Sequence, residues 1–211
     1  MTLLLNQIIQ TSFKHGWFYH YRINVAHMEN HCNNGFSNLR SYLTRVFDLC
    51  PDEKFSEGPR SSALKFPIPA PLKEDSTHTV CAQAKEGLAT MDTYRTAHSK
   101  VQVYMLKKDR NTIAIEVPLW LDSFEYPRFR DLFGCDGALS GHIDVLKVLD
   151  NKIQILDYKP KAHKEKYAAT QTYFYALMLA TRTGIPLEKM ECGYFDDSTS
   201  YFFDPSSVML S

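Results

Sequence analysis

Apolar positions along this chain change rhythm several times, and each change marks an expected element. From Gly141 to Pro160 the sequence reads GHIDVLKVLDNKIQILDYKP. Two apolar runs flank Asp150-Asn151, a pair suited to the two-residue loop of a β-hairpin. With that loop, Leu149 faces Lys152, Val148 faces Ile153, Leu146 faces Ile155 and Asp144 faces Asp157. Side chains alternate along a strand, so Lys159 shares the face of Asp157. Residues 112–121 alternate in the same way, with Ile113, Ile115, Val117 and Leu119 on one face and Glu116 with Ala114 on the other. Residues 101–106 also read as a strand, with residues 108–111 as the turn between. Met190 to Phe195 and Ser200 to Phe203 form two more strands around a turn at Asp196-Asp197-Ser198-Thr199.

The 3.6-residue rhythm appears elsewhere. Residues 2 to about 48 are expected to be mostly helical, since Leu3, Leu4, Ile8 and Ile9, and then Leu39, Tyr42, Leu43 and Phe47, fall at helical spacing. Asn33-Asn34-Gly35 separates two helical segments. Asp75-Ser76-Thr77 can cap a helix running to about His98, with Val80, Ala84, Leu88 and Met91 as its apolar stripe. A third helix runs from about Lys164 to Arg182 and ends at Gly184 and Pro186. Between residues 51 and 74, Pro51, Pro59, Pro67, Pro69 and Pro71 exclude regular helix and central strand. That stretch reads as a long loop or linker. It divides an N-terminal helical region, residues 1–74, from residues 75–211.

Composition narrows the class. A chain of 211 residues, 44% apolar, is long enough for a globular domain with a real core, with or without a smaller helical extension. Formal net charge is zero, so any affinity for nucleic acid must come from a local patch. Five widely spaced cysteines, with no CxxC pair, read as reduced thiols of an intracellular protein, cytoplasmic in a prokaryote. The opening MTLLLNQIIQ has no basic region and too short an apolar run for a signal peptide or a membrane span, so no membrane is expected as a partner. His27, His31 and Cys32 cluster, with His15 and His20 upstream, but no zinc spacing is completed. Solvated or hydrogen-bonded histidines are the favoured reading.

The hairpin carries the chemistry. Asp144 lies between Ile143 and Val145, and Asp157 between Leu156 and Tyr158. An acid set in an apolar strand is costly unless it is paired or holds a metal, and two opposed acids repel. Lys159 offsets only one of the two charges. Such a net-negative pocket suits phosphodiester hydrolysis. Two carboxylates hold Mg²⁺ or Mn²⁺, the metal acidifies a water and neutralises charge building on the phosphate, and the lysine orients the water or stabilises that charge.

The pattern G-h-I-D, then h-h-D-Y-K-P, then Q-x-x-x-Y on a helix resembles the PD-(D/E)XK nuclease superfamily, and within it the RecB-like and CRISPR-associated RecB-like exonucleases. The resemblance covers residues 75 to about 204. It implies a restriction-endonuclease-like α/β core: helix, mixed central sheet with the catalytic hairpin, helix and strand, here with an N-terminal helical extension. It places Asp144 at the first metal-binding aspartate, Asp157 at the D/E position and Lys159 at the motif lysine. Tyr158 would offer its main-chain carbonyl to the metal. Gln171 and Tyr175 match Q-x-x-x-Y and share one helix face. The resemblance further implies a helix histidine as a metal ligand, for which His78 is the first candidate and His98 the second, and an acid in an adjoining strand, which Glu116 matches. Thr77 stands where many members have glycine before that histidine. Several relatives hold an iron–sulfur cluster through cysteines near the carboxyl terminus, but only Cys192 lies beyond Cys135 here, so no cluster is expected.

Lys161, Lys164 and Lys166 follow the motif and are candidate phosphate contacts. Phe124, Tyr126 and Phe129, with Arg128 and Arg130, could stack bases or anchor a loop, and the anchoring role is favoured. The leading expectation is a metal-dependent deoxyribonuclease acting on single strands or duplex ends with little sequence preference. A non-catalytic nucleic-acid-binding or assembly subunit is the alternative, and an unrelated fold with a coincidental hairpin is the third. The N-terminal helices are candidate contacts for a protein partner or a second copy.

Overall fold

The computed structural model describes residues 7–33 and 35–210. Its centre is a mixed eight-stranded sheet: β1 (Ile8–His15), β2 (Trp17–Asn24), β3 (Lys73–Asp75), β4 (Thr112–Asp122), β5 (Ala138–Leu149), β6 (Lys152–Tyr158), β7 (Met190–Phe195) and β8 (Ser200–Phe203). The spatial order is β1-β2-β4-β5-β6-β7-β8-β3. Every neighbouring pair is antiparallel except β6 and β7, which the chain reaches by a helical crossover. The expected α/β core is present, with helix, hairpin, helix and strand in the expected order.

The hairpin forms as the sequence predicts. Asp150 and Asn151 have φ of 49° and 60°, the left-handed pair that a tight turn between twisted strands needs. Pairing runs from Leu149↔Lys152 through Leu146↔Ile155 to Val145↔Leu156. One more step along that register sets Asp144 across from Asp157.

Helices cover both faces. On one, α1 (Val25–Cys32), α2 (Ser37–Leu49) and α6 (Ala168–Thr183) enclose a core with Met28, Leu39, Leu43, Leu146, Ile155, Phe174 and Met178. On the other, α3 (Thr79–Thr90) and α4 (Ala97–Lys108) bury Val80, Ala84, Val101 and Leu106 against Ile115, Val145 and Leu156. A short helix, α5 (Phe129–Phe133), buries Phe129 as a loop anchor. None of the helices among the described residues is long and apolar enough to cross a membrane.

Four expectations are corrected. Residues 8–24 are not helical. They form a hairpin that turns at Gly16, where φ is 76°, and buries Phe13, His15, Tyr21 and Ile23. Alternation outweighs the helical spacing of Ile8 and Ile9; Leu3, Leu4 and Asn34 lie outside the described residues. Residues 101–106 are helical, within α4. That segment is buried nearly all round, and a short apolar run of this kind has no decisive period. The helix expected to reach His98 stops at Thr90, and the chain restarts at Thr96, whose hydroxyl caps α4 through Ser99 N. α3 and α4 then pack so closely that a Cβ on Gly87 would lie 2.9 Å from Tyr104 Cβ. Finally, Ile115 does not share a face with Ile113, Val117 and Leu119. The β4–β5 register shifts between Thr112 and Ala114, and Glu116 takes a φ of 53°, so the strand changes face around it.

The proline-rich stretch holds no α-helix or central strand, as expected, only two short 3-10 turns and the start of the edge strand β3, yet it is packed. Phe55, Ser61 and Leu64 are buried, and Ser140 N donates to Pro59 O, laying the stretch along β5 as a strap. His27 Nδ1 donates to Thr112 O and its backbone N–H to the Asn24 side chain, while His31 Nε2 donates to Arg110 O. These two histidines are tied to backbone, as the favoured reading holds.

Candidate active site

The face change in β4 and the hairpin register bring three acids to one end of the sheet. Glu116, Asp144 and Asp157 line one cavity with Lys159, His98, Gln171 and Tyr175. The cavity holds about 650 Å³.

Asp157 is buried in the outer half of β6. Its Oδ2 lies 2.6 Å from Lys159 Nζ, and its Oδ1 accepts from Gln171 Nε2 at 2.9 Å. Lys159 Nζ donates to Gln171 Oε1 at 2.9 Å. A carboxylate can only accept and an ammonium can only donate, so these two bonds fix the orientation of the Gln171 amide. The same amide donates to the Tyr175 hydroxyl at 2.7 Å, one helical turn along α6. The phenol keeps its own proton to donate. Burial, with the charges of Asp157 and Asp144, raises its pKa well above the ordinary tyrosine value. Asp144 Oδ2 accepts from Tyr158 N at 2.9 Å, which locks the end of β5 to β6. Glu116 accepts from Gln102 Nε2, on α4, at 2.7 Å.

Electrostatics show what this cluster lacks. Burial first, and then the charge of Asp157, lift Glu116 to about 7. Burial, Asp157 and Glu116 raise Asp144 well above the ordinary carboxylate range. Burial lowers Lys159, but the charges of Asp157 and Asp144 more than offset it, so the ammonium is retained. Three carboxyl groups therefore meet one ammonium, with the Arg60 guanidinium further off in the same cavity, and the raised Glu116 and Asp144 favour protons that a cation would displace. The donors are all oxygens, which fits a hard divalent ion.

That imbalance gives a prediction. Between the ordinary glutamate value and about 7, the folded protein binds more protons than the unfolded chain. Its metal-free stability should therefore fall as pH rises across that window. Mn²⁺ or Mg²⁺ should raise the melting temperature, and more at pH 8 than at pH 6, because the displaced protons oppose the ion at lower pH. Calorimetry in two buffers of different ionisation enthalpy would register the released protons. A metal-induced rise that is independent of pH would contradict the arrangement.

The structure brings together Asp144, Asp157, Lys159, Gln171, Tyr175 and Glu116, with Tyr158 alongside. It does not bring His78. That residue caps α3 through Val80 N and lies against Phe202, with its ring centroid 4.4 Å away. Because the expected long helix breaks, His98 instead stands in the first turn of α4, with Nε2 4.0 Å from Asp144 Oδ2 and its ring edge-on to Tyr158. Lys161, Lys164 and Lys166 are exposed on the approach to α6. His15, Cys50 and Asp52 also bring potential ligand atoms within 4.8 Å of one another, with His15 Nε2 2.9 Å from Asp52 Oδ1.

Sequence reasoning missed the opposite wall, which comes from β2, the strap and His142 of β5. His142 stacks on Tyr19 at 3.7 Å, and Arg60 Nη2 donates to both Tyr19 Oη and His142 Nδ1. Only one local signal existed, the glycine in G-h-I-D. A Cβ on Gly141 would lie 2.3 Å from Ser61 Oγ and 2.4 Å from Tyr175 Cε1. Gly141→Ala should therefore push the strap off α6. It is expected to cost about 1–3 kcal/mol, a fall of roughly 3–10 °C in melting temperature. An unchanged thermal transition would show that the two walls do not meet at this glycine.

Comparison with curated proteins and with solved structures gives no match. A family model does match: the PD-(D/E)XK nuclease superfamily, over residues 37–203. That span includes α2, the strap, both halves of the hairpin and the whole carboxylate set. Divalent metals are what nucleases of this superfamily use. The match covers well over half of the chain and ends with β8, so the protein belongs to the PD-(D/E)XK nuclease superfamily.

Proposed function

We propose that the protein is a DNA nuclease of the RecB-like kind, dependent on Mg²⁺ or Mn²⁺, which acts on free ends or single strands. The observation that carries this reading is the convergence of Glu116, Asp144 and Asp157 on one ammonium, with Gln171 holding Asp157 and Lys159 in register. Asp144, Asp157 and Glu116, with the Tyr158 carbonyl, would hold the ion, and His98, the second histidine candidate, would join them in place of His78. The bound ion supplies Lewis acidity to the attacking water and charge neutralisation at the phosphate. Lys159 positions that water and stabilises negative charge as it develops. Tyr175 donates a hydrogen bond to a phosphate oxygen. Lys161, Lys164 and Lys166 hold the strand by its backbone. Residues 75–211 carry this whole set, and residues 1–74 complete the wall that faces it.

The test is cleavage of DNA labelled separately at its 5′ and 3′ ends, as single strand, blunt duplex and closed circle, with RNA of the same sequence in parallel. Metal-dependent loss of label from linear DNA, with circles spared, supports the reading. No cleavage of any of these by the wild-type protein overturns it and leaves a binding or assembly subunit.

A further inference from the structure

The mouth of the carboxylate cavity is lined by groups that the reaction itself does not need. Trp17 and Phe18, at the tip of the β1–β2 hairpin, are 77% and 61% exposed, and both border the cavity that holds Asp144 and Asp157. Behind them stands Arg60. Its Nη1 donates to His15 O, its Nη2 to Tyr19 Oη and His142 Nδ1, and its guanidinium lies 5.2 Å from the Tyr19 ring centroid.

All of those partners are neutral. A guanidinium only donates, so His142 Nδ1 must accept. Neutral His142 then carries its proton on Nε2 and gives it to His15 Nδ1, 2.9 Å away, and His15 Nε2–H donates to Asp52. The relay therefore orients Arg60 firmly with no carboxylate hydrogen-bonded to it, and its charge reaches Glu116 only across the cavity. A half-buried, oriented guanidinium with no carboxylate bonded to it, at the edge of a cleavage pocket, is suited to an anion.

We propose that the β1–β2 hairpin tip and Arg60 form the dock that feeds unpaired DNA into the pocket. Trp17 and Phe18 stack on bases, and Arg60 takes a backbone phosphate next to the one at the carboxylates. This rests on the proposed reaction at that site and names its substrate as a single strand. Bases in a duplex are already stacked and present no free face, whereas an unpaired base offers its whole π-surface to an exposed ring. Exposed rings continuous with the carboxylate cavity thus select unpaired over paired DNA, and Arg60 adds the charge that the neutral chain does not supply overall.

The experiment measures binding, without cleavage, in Ca²⁺. The probes are a fluorescein-labelled oligothymidylate of about 20 nucleotides and a blunt duplex of similar length. Trp17→Ala/Phe18→Ala should weaken single-strand binding by about 10- to 100-fold and leave duplex binding within about twofold. Trp17→Phe should restore most of the loss. Arg60→Gln should flatten the slope of log affinity against log salt by about 0.7, the share of one phosphate on a single strand, and Arg60→Lys should keep it. Equal loss on both probes, or no loss on the single strand, overturns the dock. Ring-dependent binding by a wild-type protein that cleaves nothing would keep the dock and reject the hydrolytic reading.

Discussion

Asp157→Asn and Lys159→Ala are each expected to reduce metal-dependent DNA cleavage by about 10²- to 10³-fold or more, while DNA binding in Ca²⁺ stays near wild type. Asn keeps the volume of Asp157 but offers the ion a neutral oxygen. It also sets an amide against Lys159 Nζ, which now lies 2.6 Å from Oδ2. Removing Lys159 withdraws the ammonium that the Asp157 and Asp144 charges retain, and with it a donor to Gln171 Oε1. The two variants should differ in stability. Asp157→Asn relieves repulsion on Asp144 and Glu116, so its metal-free melting temperature should not fall, and its rise with Mn²⁺ should shrink. Lys159→Ala leaves a buried carboxylate without its cation and should melt lower. Single-turnover cleavage and thermal scans on the same preparations check both statements. Near-wild-type cleavage by either variant would place the reaction elsewhere.

Lys147→Met is expected to be the most damaging single change outside the cavity. Lys147 Nζ and Asp109 Oδ2 are 2.9 Å apart, and both residues are buried, at 2% and 8% exposure. Burial pushes Asp109 up, but the Lys147 charge and hydrogen bonds from Thr112 and Asn111 hold its carboxyl below the ordinary range. Losing the lysine strands that carboxylate, at a cost of about 3–5 kcal/mol. Asp109→Asn added to Lys147→Met should recover much of the loss, because it removes the stranded charge. A depressed carboxylate contributes stability above its unfolded pKa and loses it as pH falls through the folded value. The penalty of Lys147→Met should therefore be large at pH 7 and shrink in strong acid. Urea unfolding at both pH values measures it, and a variant within about 1 kcal/mol of wild type at pH 7 would contradict the account. The pair also bears on the cavity, because Asp109 closes α4, the helix that carries His98 and Gln102.

What the sequence made legible was local. Asp150-Asn151 announced its turn because few residue pairs accept two positive φ values in succession, and the turn then set a register that runs to Val145↔Leu156, beside Asp144 and Asp157. Gly184 ended α6 in the left-handed conformation expected of it. Lys159 could be placed by strand alternation from Asp157, and Gln171 and Tyr175 by their resemblance to Q-x-x-x-Y and their four-residue spacing on one helix. The losses were of two kinds. Residues 101–106 and 8–24 carry apolar patterns that either element type can use, and packing against the sheet decided between them. Gln102, Tyr19 and Arg60 reach the site only through contacts distant in sequence, and nothing beside them in the chain signals where they arrive; His98, the second histidine candidate, arrives in place of the first because the helix breaks. Glu116 was assigned to the site, but the φ of 53° that turns its strand was not readable from its neighbours.

The position of β2 in the sheet also bears on synthesis. Its inner edge pairs with β4 through Arg22↔Ile115 and Ile23↔Ala114, partners separated by about 90 residues of chain. On the ribosome, at roughly 5–20 residues per second, the β1–β2 hairpin must wait about 5–18 s for that partner. Throughout that interval it carries an unpaired edge and two exposed rings at its tip. The hairpin that faces the carboxylates in the finished protein is thus a part of the nascent chain that stays unprotected until β4 emerges.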